Sequence, residues 1–272
     1  MNTHAHISAI MLDWAGTTVD HGSIAPVLAL QTLFAKHDIQ VSSEDARREM
    51  GLLKRDHIHA ILKLENVRAA WVKKYGSEPT IEDLDALYAE FGPLQMEIIT
   101  KHSQVIDGVT ETVARWRSQG IRIGTTTGYT RAMLDPVIAQ ARTQGYSPDA
   151  SVCPDEVGAG RPAPWMLLRN AQLLDVYPLS RCVKIGDTIS DIEEGRNAGM
   201  WTIGLSRTGN MIGLDAATFA ALPLLQKQHL VAQAGEAFRG SGAAYIAEDL
   251  PSCEPILSEI EDLLRRGITP SS

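Results

Sequence analysis

Apolar residues recur along this chain with two different periods. Ile7-Ser8-Ala9-Ile10-Met11-Leu12 is a short, nearly continuous apolar run that predicts a buried strand. It ends at Asp13, and Gly16, Thr17 and Thr18 follow as a turn. From Ile24 to His37 the spacing changes to three and four residues, with Ile24, Val27, Leu28, Leu30, Leu33 and Phe34 at helical intervals. Ser23 and Pro26 suit the first turn of that helix. Ser42-Ser43-Glu44-Asp45 predicts another helix start, with its end near Met50-Gly51. Lys54 opens a third helix that carries His57, Ile58, Ile61 and Leu62, and a fourth runs around Val67 to Tyr75. After the break at Gly76-Ser77-Glu78-Pro79, a fifth runs roughly from Thr80 to Lys101. Nothing between Ser23 and Lys101 reads as a strand.

Strands return at Gly120 to Gly128, preceded by a helix near Val109 to Gln119 and followed by one from about Thr130 to Gly145. Ala150 to Cys153, Arg181 to Asp187, Met200 to Leu205 and, more weakly, Ala243 to Ile246 continue the series. A last helix is expected around Glu254 to Arg266. Strands alternating with helices predict an α/β fold with a doubly wound parallel sheet. The gap from Asp13 to Thr127 far exceeds the ~30 residues of a simple βαβ unit. The excess is all helical, so a small helical domain inserted after the first strand is expected: 23–101, with the core formed by 1–22 and 102–272. Clefts between domains are common binding sites.

Composition narrows the range of partners. Hydrophobic residues make up 44% of the 272, and the net charge is −8. Such an acidic chain is poorly suited to a broad nucleic-acid or acidic-membrane surface. An anionic substrate would need local cations, from a metal or from a few Lys and Arg. Cys153, Cys182 and Cys253 are scattered without metal-ligand spacing, which suggests reduced thiols and a cytoplasmic setting. The first apolar run is too short for a signal peptide, and no stretch approaches the ~18 apolar residues of a membrane span.

Four strand ends or loops carry the candidate chemistry: Asp13, Thr127, Arg161 and the pair Asp187/Asp191. In open α/β sheets reactive groups sit just past the carboxyl ends of strands. Each has a plainer explanation on its own. Asp13 could cap a turn, Thr127 could be a β-former at a strand end, Arg161 could be a solvated loop residue, and Asp187 and Asp191 could cap a helix. Their order and common strand-end placement are what make the set specific.

Asp13-Trp14-Ala15-Gly16-Thr17, Thr127-Gly128, Arg161-Pro162-Ala163-Pro164 and Gly186-Asp187-Thr188-Ile189-Ser190-Asp191 together resemble the four motifs of the haloacid dehalogenase superfamily. The helical insert resembles that superfamily's cap. The resemblance implies that Asp13 is a nucleophile toward phosphorus. It implies a Mg²⁺ ion held by Asp13, the carbonyl of Ala15, Asp187 and Asp191, with Asp191 touching the ion or supporting it from behind. Thr127, Gly128 and Arg161 are then expected around the phosphoryl group. A phosphoryl group approaching three carboxylates needs a divalent cation and a basic side chain, which agrees.

Ala15 departs from the superfamily's phosphatases, which usually carry a second aspartate there to protonate a leaving alcohol. In Met50-Gly51-Leu52-Leu53-Lys54-x-x-His57, Lys54 and His57 lie one turn apart on one helical face, and Gly51 lets the backbone bend before them. With Asp13 to Asp20, Thr126 to Arg131 and Gly160 to Trp165, these residues resemble the branch of the superfamily that cleaves carbon–phosphorus bonds. That resemblance implies hydrolysis of phosphonoacetaldehyde to acetaldehyde and phosphate, a step of phosphonate degradation. It further implies an imine on Lys54 as electron sink, proton transfer by His57, Met50 at the substrate and a homodimer through the cap. Trp71 suits either that interface or the cap's own core. A Mg²⁺-dependent phosphatase or phosphomutase is the rival enzyme, and Ala15 counts against it. A non-catalytic metabolite sensor is the rival of another class. It would bind Mg²⁺ without turnover, and retention of Asp13, Asp187 and Asp191 counts against it.

Overall fold

The first strand, β1 (Ala9–Leu12), is buried along its whole length and lies in the middle of the sheet. The computed structural model describes residues 6–270; residues 1–5 and 271–272, which the expected core segments include, lie outside the described residues. Five further strands join β1: β2 (Arg122–Thr126), β3 (Ala150–Val152), β4 (Cys182–Gly186), β5 (Trp201–Leu205) and β6 (Tyr245–Ala247). All described pairs are parallel, in the order β3-β2-β1-β4-β5-β6. Ile10 and Leu12 enter one apolar cluster, while Ala9 and Met11 enter another with Leu167 and Leu174. That alternation is the two-residue period of a strand covered on both faces, and it explains the continuous apolar run. Each large side chain so buried contributes about 1.5–3 kcal/mol.

Between β1 and β2 come α1 (Ile24–Lys36), α2 (Ser43–Arg47), α3 (Lys54–Leu62), α4 (Glu65–Tyr75), α5 (Ile81–Lys101) and α6 (Val109–Ser118). α1 and α3 pack on α5, whose start is fixed by a capping box between Thr80 and Asp83. Trp71 is buried in this packing, its ring 4.5 Å from that of Tyr75, so it serves the chain's own core. The remaining helices, α7 (Arg131–Thr143), α8 (Trp165–Leu174), α9 (Ile189–Asn197), α10 (Ala216–Ala221), α11 (Leu224–Gly240) and α12 (Glu254–Arg265), follow β2 to β6. Among them α8, α9 and α11 pack on the sheet.

Two local expectations fail. Ser23 does not cap α1: its backbone is left-handed (φ 50°), and the Asp20 carboxylate accepts from Ala25 N instead, at 2.9 Å. A carboxylate further upstream thus satisfies a free N–H of the first turn. The helix from Ser43 stops at Arg47 rather than near Met50, because the chain turns there and Gly51 takes φ 95°.

Strand order reverses direction on either side of β1. At that reversal the loops after β1 and β4 diverge and leave a crevice. β1 pairs with β2 on one side and β4 on the other, with Leu12 opposite both Thr125 and Ile185. This register sets Asp13, Thr126, Thr127 and Asp187 side by side at the carboxyl edge.

Candidate active site

Asp13 follows the last residue of β1, and its N–H donates to the carbonyl of Ile185 at 3.1 Å. The turn after it closes through Trp14, whose carbonyl accepts from the N–H groups of Thr17, Thr18 and Val19. Gly16 has φ 85°, and a Cβ there would lie 2.2 Å from the Asp187 carboxylate. Only glycine lets the turn come so close. Thr17 Oγ1 in turn donates to Asp187 Oδ1 at 3.1 Å.

Asp13, Asp187 and Asp191 each present a carboxylate oxygen within 4.8 Å of the others, and all three are buried. Burial raises the carboxyl of Asp187 well above its ordinary range, and the charges of Asp13 and Asp191 add to this. Burial likewise raises Asp13, against the pull of Arg161. Buried like charges so arranged are relieved by a divalent cation, and all-oxygen donors suit Mg²⁺. The residues therefore fit a metal ion. Asp191 differs from its neighbours. Burial would raise its carboxyl, but Arg161 and Lys184 outweigh that and hold it low. Its Oδ1 lies 2.8 Å from Lys184 Nζ and 3.0 Å from Arg161 Nη2, and its Oδ2 accepts from Thr188 Oγ1 at 2.6 Å. Asp191 and Thr188 also form the capping box of α9. Both oxygens of Asp191 are thus engaged by the protein.

Arg161 is buried at the centre of the floor. Its Nη2 donates to Asp13 Oδ1 and Thr126 Oγ1, both at 2.7 Å, and its Nε to Glu194 Oε2 at 3.0 Å. Nη1 has no hydrogen-bond partner among the described residues. Arg161 lines the cavity, and a buried guanidinium with one unpartnered nitrogen is a ready partner for an anion. Beneath it Lys184, 2.9 Å from Thr126 Oγ1, completes a network with Glu194, 3.4 Å away. Thr127 lines the cavity, its Oγ1 accepting from Tyr129 N at 3.1 Å, so its own proton is free to be donated.

The roof comes from the helical segment. Met50, Gly51 and Lys54 line the same cavity as Asp13, Ala15, Thr127, Gly128, Tyr129 and Arg161. About 20 Å³ is free inside it, space for a water molecule. Lys54 is buried, with Nζ 3.9 Å from Met50 Sδ and 5.6 Å from the centre of the Tyr129 ring. Burial lowers its ammonium to about 8, against the charge of Asp13 and with a further push from Arg161. His57 is fully buried on the same helix. Burial, then the charge of Lys54, lowers its imidazole to about 3, so it is neutral. It stands behind Lys54 rather than among the residues lining the cavity.

Apart from His57, the sequence-expected residues converge on one cavity or, for Asp187 and Asp191, on its floor. Lys184, Glu194 and Asn210 are not among the residues expected from the sequence, and Thr126 and Tyr129 enter there only as parts of the motif from Thr126 to Arg131. A lysine inside the apolar run Cys182-Val183-Lys184-Ile185 and a glutamate three residues after Asp191 were readable signals. Asn210, whose N–H donates to Asp187 Oδ2 at 2.7 Å, sits in a loop with no motif.

Residues 7–199 match the model of the haloacid dehalogenase-like hydrolases. The chain belongs to the haloacid dehalogenase-like hydrolases and, within them, to the family of the phosphonoacetaldehyde hydrolases. It is 43% identical to the phosphonoacetaldehyde hydrolase of Bacillus cytotoxicus over 94% of this chain and 97% of that one. With that of Syntrophobacter fumaroxidans it shares 42% over 97% and 95% of the two chains. A crystal structure of a phosphonoacetaldehyde hydrolase-like protein from Oleispira antarctica superposes with TM-score 0.96 at 37% identity, covering 98% of this chain and 97% of that one.

Proposed function

We propose that this enzyme hydrolyses the carbon–phosphorus bond of phosphonoacetaldehyde, giving acetaldehyde and phosphate as a step of phosphonate degradation. The observation that carries the reading is the placement of a buried, easily deprotonated lysine directly over a strand-end carboxylate that is paired with arginine. Carbonyl chemistry and phosphoryl chemistry thus face each other across one small cavity.

In this reading the neutral amine of Lys54 adds to the aldehyde and expels water, leaving a protonated imine. Arg161, through Nη1, and Thr127, through its hydroxyl, hold the phosphonate oxygens, with Gly128 and Met50 shaping the space around them. Asp13 attacks phosphorus, and the C–P bond pair moves into the C=N⁺ group to give an enamine. Ala15 contributes no acid because this leaving group needs no protonation at oxygen. The enamine carbon takes up a proton, water then cleaves the imine, and acetaldehyde and Lys54 are released. A second water cleaves the aspartyl phosphate. His57, neutral and next to Lys54, relays protons in these steps. Asp13, Asp187 and the Ala15 carbonyl would hold Mg²⁺, with Asp191 supporting from behind, and the bound ion would neutralise carboxylate and phosphoryl charge.

The same proposal includes a two-part organisation, with 23–101 closing as a cap over 1–22 and 102–272. Entry of substrate requires that closure to reverse, since the cavity is too small as it stands. It includes a homodimer through the cap, to which exposed Tyr75 and Ile81 are suited. It also includes residence in the cytoplasm; no described helix is long and apolar enough to cross a membrane. The test is release of acetaldehyde and phosphate in equal amounts from phosphonoacetaldehyde, beside p-nitrophenyl phosphate as a control. Faster turnover of the ester would favour a phosphatase. Loss of turnover after exhaustive EDTA treatment, restored by Mg²⁺, tests the metal.

A further inference from the structure

Arg47 ends α2, at the edge of the helical segment, yet its guanidinium reaches into the core. Nη1 donates to the carbonyls of Gly22 at 2.8 Å and Ser23 at 3.3 Å, and to Asn210 Oδ1 at 3.2 Å. Nη2 donates to the carbonyl of Gly213 at 3.1 Å. Asn210 answers from the other side: its Nδ2 donates to the carbonyl of Arg47 at 3.2 Å. The main-chain N–H of the same Asn210 donates to Asp187 Oδ2 at 2.7 Å. One residue of the core therefore grips both the helical segment and a carboxylate of the acidic cluster. The two side chains are reciprocally bonded, and Asn210 is itself buried.

We propose that Arg47 and Asn210 form a latch through which seating of the helical segment and setting of the Asp187 carboxylate become one event. Both are positioning residues: neither lines the cavity, and each acts through Asp187 or through the strap that carries Met50, Gly51 and Lys54. When the segment lifts, Arg47 releases the 209–213 loop, and the N–H that fixes Asp187 Oδ2 loses its support. When it closes, Asp187 is held in place. Coupling of this kind is reciprocal, so a cation that orders Asp187 also favours the seated segment. That last consequence rests on the reading of Asp187 as a metal ligand; the latch itself rests only on the hydrogen bonds.

Deuterium exchange on the full-length protein, with and without saturating Mg²⁺, reads both sides of the latch. Asn210→Ala keeps the main-chain N–H on Asp187 but removes the grip on Arg47. In the metal-free protein it should speed exchange in 46–53 by ~5- to 30-fold, a segment distant in sequence. Arg47→Lys, which keeps the charge but loses the fork, should do the same in 208–213. In the wild type Mg²⁺ should slow both segments, and calorimetric Mg²⁺ affinity should fall by a similar factor in either variant. Effects confined to the mutated segment would overturn the latch. Mg²⁺ binding that leaves exchange in 46–53 unchanged would overturn the coupling. Cross-segment effects without any Mg²⁺ binding by the wild type would uphold the latch and overturn the metal assignment of Asp187.

Discussion

The floor and the roof of the cavity handle charge in opposite ways. On the floor, Asp191, Arg161, Lys184 and Glu194 are buried and ion-paired with one another, leaving Arg161 Nη1 without a hydrogen-bond partner among the described residues. In the roof, among the described residues, Lys54 meets the Met50 sulfur at 3.9 Å and the face of Tyr129, and His57 meets no charged partner of opposite sign, only the backbone of Ala46. Desolvation therefore outweighs the charge of Asp13 at Lys54 and the Ala46 backbone at His57, and both basic groups shift toward their neutral forms. The part of the floor where Arg161 and Lys184 hold the Asp191 carboxyl low suits an anion, while burial raises Asp13 and Asp187 beside it. An uncompensated roof surrenders its proton and suits a carbonyl.

Removing the floor's nucleophile should have the largest effect. Asp13→Asn preserves shape and one hydrogen bond to Arg161 but loses the attacking charge. Its kcat should fall by at least ~10⁴-fold, about 5.5 kcal/mol of transition-state stabilisation, with the melting temperature little changed. Steady-state phosphate release checks this.

Next comes the roof's amine. Lys54→Arg keeps a cation but cannot become neutral, so activity should fall by ~10³-fold, about 4 kcal/mol. In the wild type, kcat/KM should rise with pH and level off above about 8, where the Lys54 ammonium gives up its proton. Were Lys54 needed only as a charge, activity would instead fall above that pH, and arginine would substitute for it.

The boundary between the two regions is Ala15. Ala15→Asp would add a carboxylate beside Asp13 and weaken the floor's hold on an anion. Phosphonate turnover should drop by ~10- to 10²-fold, about 1.4–2.7 kcal/mol, with a trace of ester hydrolysis appearing. Paired assays on the two substrates measure it.

Much of this division was legible from residue order. Short apolar runs marked β1, β2, β4 and β5, helical periods marked the helices, and the strand ends pointed to Asp13, Thr127 and Asp187. The spacing of Lys54 on its helix was readable, but its unpartnered state was not. That depends on which side chains three-dimensional packing places around it. For the same reason Arg161, legible as a candidate, gave no hint of its pairing with Asp13. Lys184 stands out as a lone charge within an apolar run, but the run does not say that Asp191 and Glu194 are the acids it meets. Ser23 misled because a good capping residue has no influence once Asp20 reaches the same N–H groups. Asn210 had no local signal, since its role exists only where the loop meets α2.

The smallest effect concerns stability. His57 stays neutral in the fold down to about pH 3, whereas in the unfolded chain it titrates near ~6.5. Between those values the unfolded chain binds the extra proton, so this group lowers stability as pH falls, by about 2 kcal/mol from pH 6.5 to 5. Asp20 has the opposite sign. Burial raises its carboxyl to about 7, so the folded state holds the extra proton down to ~3.9. The diagnostic is the difference between wild type and His57→Leu in urea unfolding: the wild type should lose ground steadily as pH drops below ~6.5.

Trapping the imine tests most directly whether the uncompensated roof performs the carbonyl chemistry. Borohydride added with phosphonoacetaldehyde should inactivate the enzyme irreversibly, and mass spectrometry should place the reduced adduct on the peptide that holds Lys54. Borohydride alone should leave activity intact, and Lys54→Arg should take up no label. An adduct on another lysine, or full activity after treatment with both reagents, would contradict the assignment of Lys54 as the electron sink.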